Sequence, residues 1–396
     1  MKSRFHETGP GAITVTLLLA STLTVMAPVT VAPGLPGMRD HFADSAEFLT
    51  KLVLTAPALS IAIFGSFVGW LIDKRGRKRV LLWSMVLYAV AGTSGLYLNS
   101  AEALLAGRLL LGVAVAGTMT ASTTLVGDYF RGADRNRVIG LQAAAMNLGG
   151  VIFVSLGGVL AEWHWRGPFL VYAASLLLIP PVVAYLRDPE REATAAEDAA
   201  ANRGHIKRVL GLLVFLYTTT LVMQIAFFMV PVQFPFFLEH IGETSPSRVG
   251  LALALMTICS GTTAVSFKWI RARSGSLFIL ALSFGLMGVG YLFLSSATGF
   301  EQTVISLMVF GLGLGMTFPN LVGWLMDGTP RQIRGRVVGG LMTVGFAGQF
   351  LSPIAVLPLI AQFGLDGAFR VVGVVLATSA SVALTGLAVK RISRNG

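Results

Sequence analysis

The residues able to do chemistry here are few, and most are charges at the edges of apolar runs. The densest group is Gly69-Trp70-Leu71-Ile72-Asp73-Lys74-Arg75-Gly76-Arg77-Lys78-Arg79-Val80-Leu81. In it one carboxylate, Asp73, stands among cations. Such a loop can make and break ion pairs, and Asp73 can face the N-terminus of another helix, where free N–H groups favour an anion. Asp128 and Arg135 could complete the network. Arg108 is of a different kind, a guanidinium inside an apolar run. Burying it in hydrocarbon is costly and points to a function, and it needs a carbonyl, a carboxylate or an anionic ligand. Glu162 is the carboxylate expected beside it, with Asp128 at the other end of its own run. Proton transfer or contact with an anionic substrate is the chemistry such a set could do.

A second group consists of amides on otherwise apolar stretches: Asn147, Gln224, Gln233 and Gln349, with Phe227 close to Gln224. Amides in such places either line a cavity or join helices. Flexible methionine and aromatic surfaces nearby suit varied amphipathic ligands. No carboxylate lies at the middle of any apolar run, and all five histidines fall in loops or tails. A proton-coupled carrier would therefore titrate a carboxylate at a rim, or its substrate would carry the proton. A carrier without proton coupling is the third option.

The elements that position these groups follow from composition. The 396 residues are 54% hydrophobic and only 12% charged, where a soluble domain is roughly 25% charged. A bilayer is the natural solvent for such a chain. The net charge of +11 could suggest nucleic acid, but the cations sit in short loops between apolar runs and form no binding stripe, so no nucleic-acid partner is expected. The single cysteine, Cys259, excludes an intrachain disulfide and a cysteine metal cluster. No P-loop, metal-ligand spacing or nucleophile–base pair is present. No cofactor or metal is expected, and the energy source would be an ion or solute gradient.

A membrane span needs about 20 apolar residues. Twelve candidates are predicted, at 11–33, 49–70, 80–98, 103–126, 138–160, 168–186, 209–232, 248–267, 276–295, 302–325, 337–360 and 369–389. The expected fold is an all-α membrane protein with twelve transmembrane helices in two pseudo-symmetric six-helix bundles. Residues 1–186 form the first bundle, 187–208 a solvated, part-helical linker, and 209–396 the second. The first apolar run is expected to be retained as a helix, since no small-residue cleavage site follows it. Twenty-four of the 30 Lys and Arg fall on the side holding both termini and the linker. The positive-inside rule makes that side cytoplasmic.

The halves also repeat at a constant offset of 199 positions. Trp70 falls on Trp269, Gly76 on Gly275, Gly112 on Gly311, Asp128 on Asp327, Arg135 on Arg334 and Arg137 on Arg336. Two six-span halves in parallel repeat are a transporter architecture.

The run 69–81 resembles motif A of the major facilitator superfamily, Gly-x-Leu-Ala-Asp-Arg-x-Gly-Arg-Lys-x-x-Leu. Gly69, Leu71, Asp73, Gly76, Arg77, Lys78 and Leu81 match, and the second-half copy is degenerate, with Ala272 in place of the aspartate. Arg108-x-x-x-Gly112 resembles motif B, and Trp165-Arg166-Gly167-Pro168-Phe169 is similar to the start of the sixth span in drug-efflux-like members. In the fifth span the Gly-Gly of that branch is present at Gly157-Gly158 and its Gly-Pro is not. The resemblance implies a gate built on Gly69, Asp73, Arg75, Gly76 and Arg77. In it Asp73 faces the helix that follows Arg334-Gly335-Arg336 when the cytoplasmic side closes. It implies a part in proton coupling or anion contact for Arg108.

The expected protein is thus a monomeric inner-membrane carrier exporting a small amphipathic molecule by alternating access and proton antiport. A facilitator or symporter for one metabolite is the nearest alternative. A transport-inactive sensor or scaffold and a membrane-embedded enzyme are the alternatives of other classes; the enzyme would need catalytic groups clustered at depth, which the sequence lacks.

Overall fold

The computed structural model describes residues 10–43, 47–188 and 199–395. Residues 189–198 of the expected linker lie outside them. The described chain is helical, with no strand. It divides into two compact units, Met1–Ala193 and Thr194–Gly396.

The first unit holds α1 (Pro10–Val29), α2 (Leu35–His41), α3 (Glu47–Arg75), α4 (Arg77–Gly92), α5 (Ala101–Tyr129) and α6 (Gly132–Trp163). The sixth span is broken into a 3-10 turn, Gly167–Ala173, and two short helices, α7 (Ala174–Leu177) and α8 (Ile179–Tyr185). The break before α8 coincides with Pro180 and Pro181, which have no N–H to continue a helical ladder. The first span ends early for the same reason. α1 stops one residue after Pro28, and a 3-10 turn, Ala32–Gly34, leads into α2. Several helices overrun their apolar runs: α6 begins at Gly132 and carries Asp134, Arg135 and Arg137, a solvated extension of a helix that hydropathy predicts to begin at 138.

The second unit holds α9 (Ala199–His240), α10 (Pro246–Arg273), α11 (Ser276–Leu294), α12 (Phe300–Gly328) and α13 (Arg334–Asn395). α13 contains two of the predicted spans. Its helical ladder is interrupted at Gly364, where φ is 70°, and the apolar stretch Arg334–Leu387 is 54 residues long, more than twice what one crossing needs. With that break, the 11 apolar helices among the described residues that are long enough to cross a membrane account for the twelve spans. The chain is a multi-pass membrane protein.

The repeat is built into the packing. α3 crosses α5 where Gly112 lies against the Pro57 carbonyl, and a Cβ there would stand 2.7 Å from Ser60 Cβ. α10 crosses α12 where Gly311 lies against the Met256 carbonyl, 3.3 Å from Cys259 Cβ by the same construction. Each of these three pairs is offset by 199 positions. α1 meets α6 at Gly149 against Thr22, and α9 meets α13 at Gly348 against Leu221, again at the same offset. Backbones approach this closely only where no side chain intervenes.

Candidate functional site

Two sites form in the first unit, at opposite ends of α5. The first is the charged turn. α3 runs to Arg75, and Gly76 reverses the chain into α4 with φ 93° and ψ 151°, a conformation open to glycine and strained for other residues. A Cβ at residue 76 would lie 2.6 Å from Asp188 Oδ2. The other oxygen of that carboxylate accepts the backbone N–H of Lys78 at 2.7 Å, satisfying one of the donors that the first turn of α4 leaves unpaired. Lys78 Nζ donates to the Val183 carbonyl at 2.8 Å. Tyr129 Oη donates to the Arg187 carbonyl at 2.8 Å and accepts from Arg187 N at 2.6 Å. The segment after α8 is thereby fastened to the start of α4 and the end of α5. Arg77 completes the cluster, its Nε 3.1 Å from Asp128 Oδ2, with both side chains mostly sheltered.

Asp73 stands apart. It is exposed on the last turns of α3 and makes no hydrogen bond or ion pair with a described residue. Gly69 lies one turn earlier, with open space at its Cα, and Arg75 is exposed. In the second unit Asp327 pairs with Arg271 at 3.1 Å. The aspartate keeps its repeat position while the arginine comes from α10, whose motif copy has lost Arg77's counterpart to Ser276.

The second site surrounds Arg108, whose side chain is fully buried. Nε donates to the Val53 carbonyl at 3.0 Å and one terminal nitrogen, Nη2, to the Ala27 carbonyl at 2.6 Å. Both acceptors are orphans of helix geometry. Pro57 has no N–H to return to the residue four before it, which is Val53. Ala27 is in the last turn of α1, where carbonyls lack partners and the helix dipole is negative. The guanidinium thus caps α1 and repairs α3. It stands over the ring of Tyr172 at 5.1 Å and of Phe169 at 5.9 Å. Tyr172 Oη also donates to Ala27 O at 2.8 Å, and Tyr88 Oη to Leu23 O at 2.7 Å. Nη1 has no partner among the described residues.

This arrangement corrects the expected pairing. Arg108 forms no ion pair with a described carboxylate, because the two orphan carbonyls already meet its main donors. Glu162 is exposed at the end of α6. Asp128 is 20 residues further along α5, about 30 Å away at 1.5 Å per residue, and belongs with Arg77. Arg108, Glu162 and Asp128 are not one cluster.

The amides are also dispersed. Asn147, half-buried, donates to its own helix at the Ala143 carbonyl, 2.9 Å away. In the second unit Gln224 packs where α9 meets Gly348 of α13, and Gln349 is the next residue. Both are half-buried, at the crossing of α9 with α13. Phe227 faces Phe228 edge-on at 5.1 Å. Gln233 is buried, and its Oε1 has no partner among the described residues. Five side chains of the two sites were not singled out from sequence: Pro57, Tyr88, Tyr129, Tyr172 and Asp188. Proline inside an apolar span was the available signal, since it marks which carbonyl will need a donor. Asp188 reads as linker until the chain is folded.

Repeat-built helical units, an arginine-caulked first bundle and a charged turn define a helical membrane transporter. A sequence model of the Major Facilitator Superfamily matches residues 17–353 and, separately, residues 216–395. The chain belongs to that superfamily and is a secondary transporter, with no enzymatic role. It is 26% identical over 339 residues to the bacillibactin exporter of Bacillus subtilis (strain 168), covering 81% of this chain and 83% of that protein. It is 24% identical over 342 residues to the class H tetracycline resistance protein of Pasteurella multocida, covering 83% and 84%. In fold it resembles the crystal structure of a D-xylose-proton symporter, with a TM-score of 0.77 at 16% identity over 94% of this chain and 97% of that one.

Proposed function

We propose that this transporter exports a small amphipathic molecule across the inner membrane by alternating access coupled to proton antiport, acting as a monomer. The observation that carries the reading is the exporter and resistance-protein likeness over more than four fifths of the chain, joined to apolar helices that carry amides in their spans. Asn147, Gln224, Gln233, Phe227 and Gln349 are the proposed substrate contacts. Gly69, Asp73, Arg75, Gly76 and Arg77 form the gate. In it Asp73, which has no partner among the described residues, engages in one conformation only and so biases the equilibrium between states. Asp128 serves that gate by holding Arg77, and Glu162 is the rim carboxylate proposed to titrate. Arg108 shapes the bundle and keeps one donor, Nη1, for an anion or water. Both termini and the 187–208 linker are cytoplasmic, dividing the chain into bundles 1–186 and 209–396.

A facilitator or symporter is the second reading. It is favoured by one observation: no described carboxylate lies at mid-depth in a span. Purified protein in liposomes with an imposed pH gradient and a panel of fluorescent amphipathic compounds separates the two. Gradient-driven movement abolished by a protonophore is expected. Movement indifferent to the gradient would establish the facilitator, and no movement of any compound would remove the export reading. For topology, a cysteine at Glu243 in a Cys259→Ser background should label from outside and one at Ala195 should not.

A further inference from the structure

The charged turn borders a groove with which it shares Arg75. α3, α4 and α5 leave between them a cavity of about 640 Å³, within the roughly 300–1,000 Å³ usual for small-molecule sites. Its walls are Phe67 and Leu71 of α3 and Trp83 and Leu87 of α4, and its floor is the close packing of Ser84 on Gly117 of α5. Phe67 is 54% and Trp83 74% exposed, so the walls face the surroundings of the unit. Two charged residues line it, Arg75 and Arg79. Both are at one end, since Arg75 closes α3 and Arg79 is in the first turn of α4.

The five cations of the turn divide cleanly. Lys74 lies over the Trp70 ring at 5.0 Å, Arg77 pairs with Asp128, and Lys78 donates to Val183. Arg75 and Arg79 are exposed and have no hydrogen bond or ion pair with a described residue. Leu87 is eight residues beyond Arg79, about 12 Å along the helix. The groove is therefore apolar along its length and doubly cationic at one end.

We propose that this groove holds one phospholipid with an anionic headgroup, its phosphate between Arg75 and Arg79 and an acyl chain along Phe67, Leu71, Trp83 and Leu87. The occupant follows from where the chain resides. A bilayer presents an acyl chain and an anion joined at the depth where these residues stand, and a basic pocket between helices is suited to such a headgroup. That the lipid comes from the cytoplasmic leaflet rests on the orientation proposed above. Occupancy would tie the ends of α3 and α4 together beside Asp73, coupling lipid composition to the gate.

The test is native mass spectrometry on the full chain, delipidated in detergent and titrated with phosphatidylglycerol, phosphatidylethanolamine or glycerol 3-phosphate. Binding in detergent depends on neither orientation nor transport, so its failure is separate from failure of the export reading. Phosphatidylglycerol should bind preferentially, and Arg75→Ala/Arg79→Ala should weaken it roughly tenfold. Arg75→Lys/Arg79→Lys should retain most of the affinity, because a point charge suffices. Val113→Phe, which fills the floor, should weaken binding with both arginines intact. Equal affinity for phosphatidylethanolamine would overturn the headgroup claim. Equal loss in the charge-matched Arg137→Ala/Arg273→Ala control would mean diffuse attraction and overturn the site. Glycerol 3-phosphate binding as tightly as the lipid would overturn the acyl-chain claim.

Discussion

Arg108 Nε reaches the Val53 carbonyl at 3.0 Å, and that carbonyl is available because Pro57 stands four residues on. The second unit carries Met256 and Leu307 at the positions 199 on from Pro57 and Arg108. Proline and arginine are present together in one half and replaced together in the other. The acceptor of the second bond persists: Ala226, which corresponds to Ala27, gives its carbonyl to the hydroxyl of Tyr291. The buried arginine is therefore explained first as the complement of a proline.

That pairing can be tested by copying one half into the other. Arg108→Leu leaves the buried Val53 carbonyl without its donor, at roughly 1–3 kcal/mol, and takes one of two donors from Ala27, whose carbonyl keeps the Tyr172 hydroxyl. Pro57→Met restores an N–H for Val53, so the double variant should recover Val53's share of the loss and leave that of Ala27. Unfolding in detergent across the double-mutant cycle reads the coupling. Strictly additive losses would show that the arginine does not serve the proline.

Asp73→Asn should leave the melting temperature unchanged, because the side chain is exposed and has no partner among the described residues. Transport should fall at least several-fold if the carboxylate acts in another conformation. Substitution at Ala272, its second-half counterpart, should do little. Wild-type transport by Asp73→Asn would remove it from the gate.

The Arg77–Asp128 pair allows a graded comparison. Its side chains are 17% and 26% exposed, whereas Asp327 in the Arg271 pair is 69% exposed. Exposed pairs contribute roughly 0–1 kcal/mol. Asp128→Asn should therefore destabilise more than Asp327→Asn, with both effects near or below about 1 kcal/mol. Chemical denaturation of the two variants side by side gives the order, and reversal of it would place the sheltered pair's value elsewhere.

Gly76→Ala forces a side chain into a left-handed conformation and onto Asp188 Oδ2. Such strain costs on the order of 1–3 kcal/mol. Asp188→Ala removes the cap on α4, at about 1 kcal/mol, and also the obstacle. The double variant should thus lose less than the sum of the singles. Full additivity would mean that Asp188 moves aside without cost.

The apolar spans, the 199-residue repeat and the charged turn are legible from sequence because each depends on local composition or fixed spacing. Hydropathy placed α3's end five residues early, since a helix continues into water when its residues tolerate solvent, as Asp73 and Lys74 do. The single helix α13 hides two spans because Gly364 breaks the ladder over one residue only. The Arg108 surroundings were not legible: Ala27 and Val53 offer backbone atoms, which residue type does not report. Glu162 was chosen for charge and chain order, and a cation's needs were met by carbonyls instead.

The glycine crossings of α3 with α5 and of α10 with α12 have a mechanical consequence. Where backbone rests on backbone, no compliant layer of side chains lies between. Each crossing behaves as a welded joint, and each helix pair as a beam that can tilt but cannot shear. Gly112 and Gly311 are then places where one added methyl group would force two helix backbones apart.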